Sequence, residues 1–256
     1  MPQRTGGEGI IQRVTDVEPG SHSPTRRYLA ILSIVFAIYW LIWAIHPKYF
    51  TNWVVENVLL VAAIVFLILT RKRFPLSNLS YTLIAIFLAL HTIGAHYSYS
   101  EVPYNDWFKA IFGRPLHGGR NMYDRLVHFC FGVLLAYPIR EMFLRVVRVR
   151  GFWGYYLPLD VTMSFSMLYE LAEWIYAANA GGDAGAAFLG TQGDEWDSQK
   201  DMAIATLGGL ISMCVVAFIN WKFDKNFGAE MRRSLTVEDG DRPLGEVRLG
   251  ELRDGK

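Results

Sequence analysis

The chain has 256 residues, of which 52% are hydrophobic, and its formal net charge is +1. No Lys/Arg tract alternates with aromatic residues, so the sequence lacks the usual signature of a nucleic-acid-binding protein. The apolar residues form runs close to the roughly 20 residues that a helix needs to cross a bilayer. The composition therefore predicts an all-α polytopic membrane helix bundle.

Three segments are predicted along the chain. Residues 1–25 are rich in Gly, Ser and charge, so we expect a disordered cytoplasmic tail there. Residues 26–226 are predicted to form a membrane domain, and residues 227–256 a charged cytoplasmic tail. The predicted spans, about six in number, are Tyr28–Ile45, Trp53–Thr70, Leu79–His96, Tyr123–Val147, Tyr155–Ala178 and Met202–Trp221.

The distribution of basic residues predicts the orientation of these spans. Lys and Arg are enriched in short cytoplasmic connections of membrane proteins. With both termini in the cytoplasm, the basic stretches 71–73, 145–150 and 222–225 lie inside, and the acidic stretch 194–197 lies outside. We therefore expect both termini to be cytoplasmic.

Two outer connections are too long to be simple turns. Residues Tyr97–Met122 mix aromatic and charged side chains, which predicts a short helix in the membrane interface. Residues Asn179–Lys200 are rich in glycine, which predicts a loop that folds over a site.

Polar residues converge at this outer side, where spans three and five end and spans four and six begin. An ionisable group deep in a span costs about 2.5–3.5 kcal/mol on insertion scales, so it is expected to face the bundle interior. Asp124 and His128 are one helical turn apart, as are Glu170 and Glu173. The predicted pocket is made by His91, His96, Asp124, Arg125, His128, Glu170, Glu173, Asp197 and Asp201.

Ordinary structural roles compete with this interpretation. An interhelical hydrogen bond accounts for His91, and a charge matched to the helix dipole accounts for Asp124. Glu170 and Glu173 are harder to explain, because two like charges on one face need a cation, a shared proton or an arginine between them. Glu56, near the end of a span, is interpreted as structural.

Histidine and carboxylate ligands that converge on one site suit a divalent ion such as Zn²⁺ or Mn²⁺. The hypothesis rests on convergence alone, since no compact motif such as His-Glu-x-x-His is present. The predicted metal ligands are His91, His96, His128, Glu170, Asp197 and Asp201. The residues predicted to carry the chemistry are Asp124, Arg125, His128, Glu170 and Glu173. Arg120 and Arg125 could instead hold a phosphate or a carboxylate.

Four stretches carry a resemblance to a known family. Residues His91–Pro103, Tyr123–Phe129, Tyr169–Trp174 and Gly190–Met202 resemble the YjdF-like bacterial inner-membrane proteins. The likeness covers most of residues 28–221. It implies an inner-membrane location and this topology, and it implies no activity, because that family is functionally uncharacterised.

A more distant likeness is to VanZ-type membrane proteins, which are linked to glycopeptide-antibiotic resistance. The acid-base-x-x-His motif at residues 124–128, together with Glu170 and Asp201, matches their pattern. Glu173 stands where that pattern has Gln, and Ala205 stands where it has Asn. No mechanism follows from this likeness.

The leading functional hypothesis is a membrane-embedded hydrolase or transferase that acts on a membrane lipid or envelope precursor at the outer leaflet. A metal would activate water, a carboxylate would act as general base, and Arg125 would stabilise developing negative charge. The alternatives are a proton- or cation-coupled permease and a non-catalytic envelope scaffold. An inner polar path would favour the permease, and a fully paired network would favour the scaffold. The sequence leaves the substrate and the oligomeric state open.

Overall fold

A computed structural model describes residues 26–114, 120–237 and 250–253, and within them every regular element is helical. The predicted tail 1–25 lies outside the described residues. We label the helices α1 (Arg26–Trp43), α2 (Phe50–Thr70), α3 (Asn78–Tyr97), α4 (Tyr104–Phe112), α5 (Tyr123–Met142), α6 (Trp153–Ala180), α7 (Gly182–Leu189), α8 (Asp197–Phe223) and α9 (Phe227–Arg233). The all-α prediction is confirmed for these residues.

Four of the described helices, α1, α2, α3 and α8, are long and apolar enough to cross a membrane. None of the residues of α1 is buried within the protein, and its outward side carries large apolar residues such as Ile34, Val35 and Ile38. Such a surface is stable in contact with lipid and not with water. Helices α5 and α6 are of similar length, but charged residues including Arg125 and Glu170 lower their apolar character.

Helix α5 occupies the centre of the bundle, where it packs against α3, α6 and α8. Helices α1 and α2 lie against α3, and the Tyr39 hydroxyl donates a hydrogen bond to the Ala89 carbonyl at 3.0 Å. The end of α5 is joined to the start of α3 by Glu141. Its carboxylate accepts hydrogen bonds from the Ser77 amide at 2.8 Å and the Ser80 hydroxyl at 2.5 Å. Glu141 on α5 thereby caps the start of α3.

The contact between α5 and α8 is a backbone contact. A Cβ atom on Gly132 would lie 2.0 Å from the Ala205 carbonyl oxygen, and one on Gly208 would lie 2.3 Å from the Phe129 carbonyl oxygen. Small residues allow this approach, which is how helices associate in a membrane without a hydrophobic driving force between them. His128 lies one helical turn before Gly132 on the same face of α5, so it also faces α8.

The glycine-rich connection 179–200 differs from its prediction as a loop. Helix α6 continues to Ala180, α7 follows after Gly181 with φ of +67°, and α8 begins at Asp197 rather than at Met202. A Cβ atom on Gly185 would lie 2.4 Å from the Ala177 carbonyl oxygen. These glycines therefore permit a tight turn and close helix packing, and only residues 190–196 form a non-helical connection. The short helix predicted within Tyr97–Met122 is confirmed as α4.

The segment from residue 227, predicted as a charged tail, begins as a packed helix. The Phe152 amide donates a hydrogen bond to the Ser234 hydroxyl at 2.9 Å, and the Trp153 indole donates to the Ser234 carbonyl at 2.8 Å. Gly151 makes room for this contact, because a Cβ atom there would lie 2.4 Å from the Ser234 hydroxyl oxygen. Helix α9 is therefore docked on the turn between α5 and α6.

Gly132→Ala tests the α5–α8 contact. Overpacking against a backbone oxygen should lower the free energy of unfolding by more than about 1 kcal/mol. Thermal unfolding in detergent, followed by circular dichroism, measures the effect. Gly228→Ala is the matched control, because its Cβ would meet only the flexible end of Arg232 at 3.8 Å. That change should be neutral or slightly stabilising, since Ala favours a helix more than Gly does. Equal stability of the two variants would contradict the backbone contact.

Candidate metal centre

Asp124, His128 and Asp201 each offer one ligand atom, and these three atoms all lie within 4.8 Å of one another. Asp124 and His128 share a face of α5 at the i and i+4 positions, where Nε2 of His128 is 3.6 Å from Oδ1 of Asp124. Asp201 comes from the facing helix α8. Two donors from α5 and one from α8 thus lie close together where these helices meet.

Asp201 has an unsatisfied oxygen. Its side chain is 2% exposed, and its Oδ1 has no hydrogen-bond partner among the described residues. A buried acceptor without a donor is destabilising by about 1–3 kcal/mol, and by more when it is charged. Asp201 belongs to the group of donors that could hold a metal, so a cation bound there would be a partner for this carboxylate.

Glu170 extends the cluster from α6. Its Oε1 lies 3.2 Å from Nε2 of His128, and the residue is 6% exposed. One imidazole therefore lies close to three carboxyl groups, a donor set that suits Zn²⁺ or Mn²⁺.

A clamp of ion pairs closes the cluster on the side of the connection 190–196. Nη2 of Arg125 is 2.6 Å from Oδ1 of Asp197 and 3.0 Å from Oδ2 of Asp194. Arg120 also pairs with Asp197 and donates a hydrogen bond to the Thr191 carbonyl at 2.8 Å. We call Arg120, Arg125, Asp194, Asp197 and Lys200 the outer clamp.

Asp194 joins the connection to α8 within this clamp. Lys200 Nζ donates to both of its carboxylate oxygens, at 2.8 and 2.7 Å. The hydrogen bond from Lys200 holds the pKa of Asp194 below its usual range, and the charge of Arg120 adds to the effect. Three cations face two carboxylates in the clamp, which leaves one surplus positive charge beside the cluster.

A second polar layer lies next to the cluster. The Tyr169 hydroxyl donates to Oε2 of Glu56 at 3.2 Å, and Nε2 of His91 is 3.1 Å from the Glu56 carbonyl oxygen. The Tyr99 hydroxyl is 2.5 Å from Nδ1 of His91. Glu173 follows Glu170 by one helical turn on α6, so it lies beside the cluster.

The two remaining histidines of the predicted pocket serve other contacts in the structure. Both ring nitrogens of His91 are engaged, one by Glu56 and one by Tyr99. His96 lies between α1 and α3, where its Nδ1 is 2.8 Å from the Trp43 carbonyl oxygen and its ring packs edge-on against Trp43. The structure brings together Asp124, Arg125, His128, Glu170, Asp197 and Asp201, with Glu173 beside them.

Glu56 and Tyr169 belong to this region, although the sequence interpretation gave neither a functional place. Glu56 is the one charged residue of α2, and it is 9% exposed. A single carboxyl group in an otherwise apolar helix was the available signal, because such a group needs a partner inside the bundle. Tyr169 gave no comparable signal, since tyrosine is common in membrane helices for its aromatic ring alone.

Comparisons with known proteins identify the family of the chain. Residues 28–222 match the family described as "Predicted membrane protein (DUF2238)". The chain is 36% identical over 178 residues to "Inner membrane protein YjdF" of Escherichia coli strain K12, which covers 69% of this chain and 83% of that protein. No solved structure matches. The resemblance to YjdF-like proteins is confirmed, and the matched residues include every member of the cluster and the clamp.

The outer clamp predicts a pH dependence of stability. The folded pKa of Asp194 is lowered, so its ionised form stabilises the protein above the ordinary carboxyl pKa of about 3.9, and this contribution is lost as the pH falls through the folded pKa. Asp194→Asn should lower the melting temperature by a few degrees at about pH 7 and have little effect near pH 3. Thermal unfolding across this range measures the difference.

Glu195→Gln is the control for that experiment, because Glu195 is an exposed neighbour on the same connection. It should leave the melting temperature nearly unchanged at every pH. Salt near 1 M should also reduce the effect of Asp194→Asn, because the Debye length falls to about 3 Å. An Asp194→Asn effect that is independent of pH would contradict the assigned role of the clamp.

Proposed function

The chain belongs to the DUF2238 family of predicted membrane proteins, and on that premise we propose that it is a metal-dependent hydrolase or transferase of the inner membrane. The proposed substrate is a lipid or envelope precursor that is reached from the outer, periplasmic side. One observation carries the proposal: ligand atoms of Asp124, His128 and Asp201 lie within 4.8 Å of one another, and Oδ1 of Asp201 has no partner in the described part of the chain.

The donor set supports a divalent metal. Carboxylate oxygens suit Mn²⁺, and imidazole suits Zn²⁺, so both ions fit the group that Asp124, His128 and Asp201 form. When bound, such an ion lowers the pKa of a coordinated water and polarises a phosphoryl or acyl oxygen. His91 and His96 are left out of this site, because both ring nitrogens of His91 contact Glu56 and Tyr99, and Nδ1 of His96 contacts the Trp43 carbonyl oxygen next to α1.

Glu170 is the proposed general base. Its Oε1 is 3.2 Å from Nε2 of His128, so it is close to any water held by the cluster. Glu173, one helical turn further along α6, is proposed to help hold the cation from its position beside Glu170. This arrangement gives the two glutamates different tasks.

The outer clamp is proposed to attract and position an anionic substrate. Its two arginines present guanidinium N–H groups that can bind an anionic group at the mouth of the site. Arg125 already contacts two carboxylates, so its proposed task is to hold Asp194 and Asp197 until an anionic group replaces one of them. Arginine suits this exchange, because its planar fork binds carboxylate and phosphate in the same way.

A permease is the second candidate, and one feature favours it. Thr162, Ser166 and Glu170 form a buried polar stripe along α6, and the Ser166 hydroxyl has no hydrogen-bond partner within the described ranges. Such a stripe is a possible start for a proton or cation path. The unpaired oxygens of Ser166 and Asp201 argue against a scaffold, whose network would be expected to pair all of its members.

The proposed topology has six spans, with α5 and α6 added to the four strongly apolar helices, and both termini in the cytoplasm. In this orientation the cluster faces outward, and the basic stretches 71–73, 145–150 and 222–225 face the cytoplasm. Charged residues on α5 and α6 are compatible with spanning, because Arg125 and Glu170 are buried against other helices.

Elemental analysis of detergent-purified protein tests the metal. The wild type should retain a divalent metal, and His128→Ala or Asp201→Asn should weaken retention at least about tenfold, as loss of even an indirect metal contact does. Asp106→Asn is the control, because Asp106 is an exposed carboxylate on α4. It should retain metal as the wild type does.

Glu170→Gln separates a functional cluster from a structural one, because it removes the charge and keeps the shape. If the cluster is functional, this variant should fold and insert normally yet lose activity on a lipid substrate or lose metal. A rise in thermal stability with unchanged metal content would refute the proposed site. Cation flux in liposomes that depends on Glu170, without hydrolysis, would favour the permease.

Reporter fusions test the topology. A cytoplasmic reporter fused after Asn78 should be active, and the same reporter fused after Gly193 should be inactive. A periplasmic reporter should give the reverse pattern at the two positions, which serves as the internal control. Cytoplasmic activity after Gly193 would rule out the six-span orientation and would place the cluster on the opposite side of the membrane.

A further inference from the structure

A second polar site lies at the end of the bundle opposite the cluster. A cavity of about 130 Å³ opens there between the end of α5, the start of α6 and the end of α8, with α9 beside it. The side chains that matter in its wall are Arg140, Arg150, Tyr155, Asn220, Asp224 and Glu230. None of them belongs to the cluster or to the outer clamp.

Arg140 is held rigidly in this wall. Its guanidinium group lies over the Tyr155 ring at 4.5 Å from the ring centroid, and Asn220 donates a hydrogen bond to the Tyr155 hydroxyl at 2.7 Å. Phe227 of α9 packs edge-on against the same ring, with the centroids 6.2 Å apart. Stacking covers one face of the guanidinium and leaves its N–H edge available for a ligand.

That edge has an unsatisfied donor. The Nε atom of Arg140 is buried and has no hydrogen-bond partner in the part of the chain that the structure describes. A buried guanidinium N–H without an acceptor is destabilising, so an acceptor is expected in the cavity. Phosphate and carboxylate oxygens are the acceptors that fit the arginine fork.

The cavity wall carries both signs of charge without pairing them. Among the described residues, no salt bridge within 4.0 Å involves Arg140, Arg150, Asp224 or Glu230, although all four line the same small cavity. A ligand with one charge would meet repulsion from half of this wall. A ligand with a negative and a positive group would satisfy both halves.

We propose that this cavity binds a phosphate group joined to a primary amine, the chemistry of a phosphoethanolamine head group. Arg140 and Arg150 take the phosphate oxygens, and Asp224 and Glu230 accept hydrogen bonds from the ammonium group. Basic pockets between helix ends at a membrane surface commonly hold lipid head groups, and the carboxylates here add selectivity for the amine. The proposal is independent of the metal and of the reaction at the other end.

Lipid retention in detergent tests the site. The protein is purified from mixed vesicles of phosphatidylethanolamine, phosphatidylcholine and phosphatidylglycerol, and the bound lipid is measured by mass spectrometry. The wild type should retain phosphatidylethanolamine preferentially. Arg140→Gln should reduce its retention at least about tenfold, the effect of losing a charge-assisted hydrogen bond. Equal retention by the wild type and Arg140→Gln would overturn the proposal.

Further variants separate the two halves of the site and guard against misfolding. Arg148→Gln is the matched control, because Arg148 is exposed at the same end and does not line the cavity. It should bind as the wild type does, and a loss equal to that of Arg140→Gln would overturn the proposal. Arg140→Lys keeps the charge without the planar fork and should bind with intermediate affinity.

Glu230→Gln with Asp224→Asn should keep the phosphate affinity and lose the preference for a primary amine over choline. An unchanged preference would overturn the assignment of the amine. Free phosphoethanolamine distinguishes the two sources of this chemistry. A rise in melting temperature with the free compound, abolished by Arg140→Gln, identifies a soluble ligand. Retention of the lipid alone, also abolished by Arg140→Gln, identifies a membrane ligand.

Discussion

The direct backbone contact between α5 and α8 is the constraint on which the remaining architecture depends. Gly132 and Gly208 have no side chains to separate these helices, and carbonyl oxygens of the partner helix lie 2.0 and 2.3 Å from the positions where their Cβ atoms would be. Lipid is as apolar as the helix surfaces, so close van der Waals packing must hold the pair together. This contact brings His128 and Asp201 to opposite walls of one narrow space, and α3 and α6 then complete that space by packing on α5.

The charged groups of the outer clamp are paired with one another, whereas those of the cluster are not all paired. The outer clamp pairs its charges, with Asp194 and Asp197 each in contact with more than one cation. The cluster beneath it leaves Oδ1 of Asp201 without a donor and places Glu170 beside His128. A network that served only to join helices would gain stability from pairing every group, since an unpaired buried carboxylate is strongly unfavourable. The difference between the two regions therefore favours ligand binding in the cluster and closure in the clamp.

The sequence alone predicted the helices and the end of the bundle at which their polar groups lie, because apolar runs and basic connections carry that information directly. It could not predict which face of α3 meets which neighbour. His96 therefore appeared equivalent to a pocket residue, although aromatic packing with Trp43 turns it toward α1. The start of α8 was placed at Met202 because the apolar run begins there, whereas the polar first turn from Asp197 is stabilised by tertiary ion pairs that no local pattern reveals. The glycines around residue 181 led to the prediction of a loop, because helix propensity does not take close packing between helices into account.

The middle of the bundle bears on the choice between an enzyme and a permease. Ala136 on α5 and Ala205 on α8 are fully buried, and their methyl side chains cannot carry a proton. On α6, the Thr162 hydroxyl donates to the Pro158 carbonyl at 2.7 Å, so its proton is engaged within its own helix. A coupled carrier needs polar groups that reach both sides of the membrane, in at least one of its states. The described bundle instead has a small, close-packed centre that separates two polar ends, an arrangement that suits two independent sites better than one continuous path.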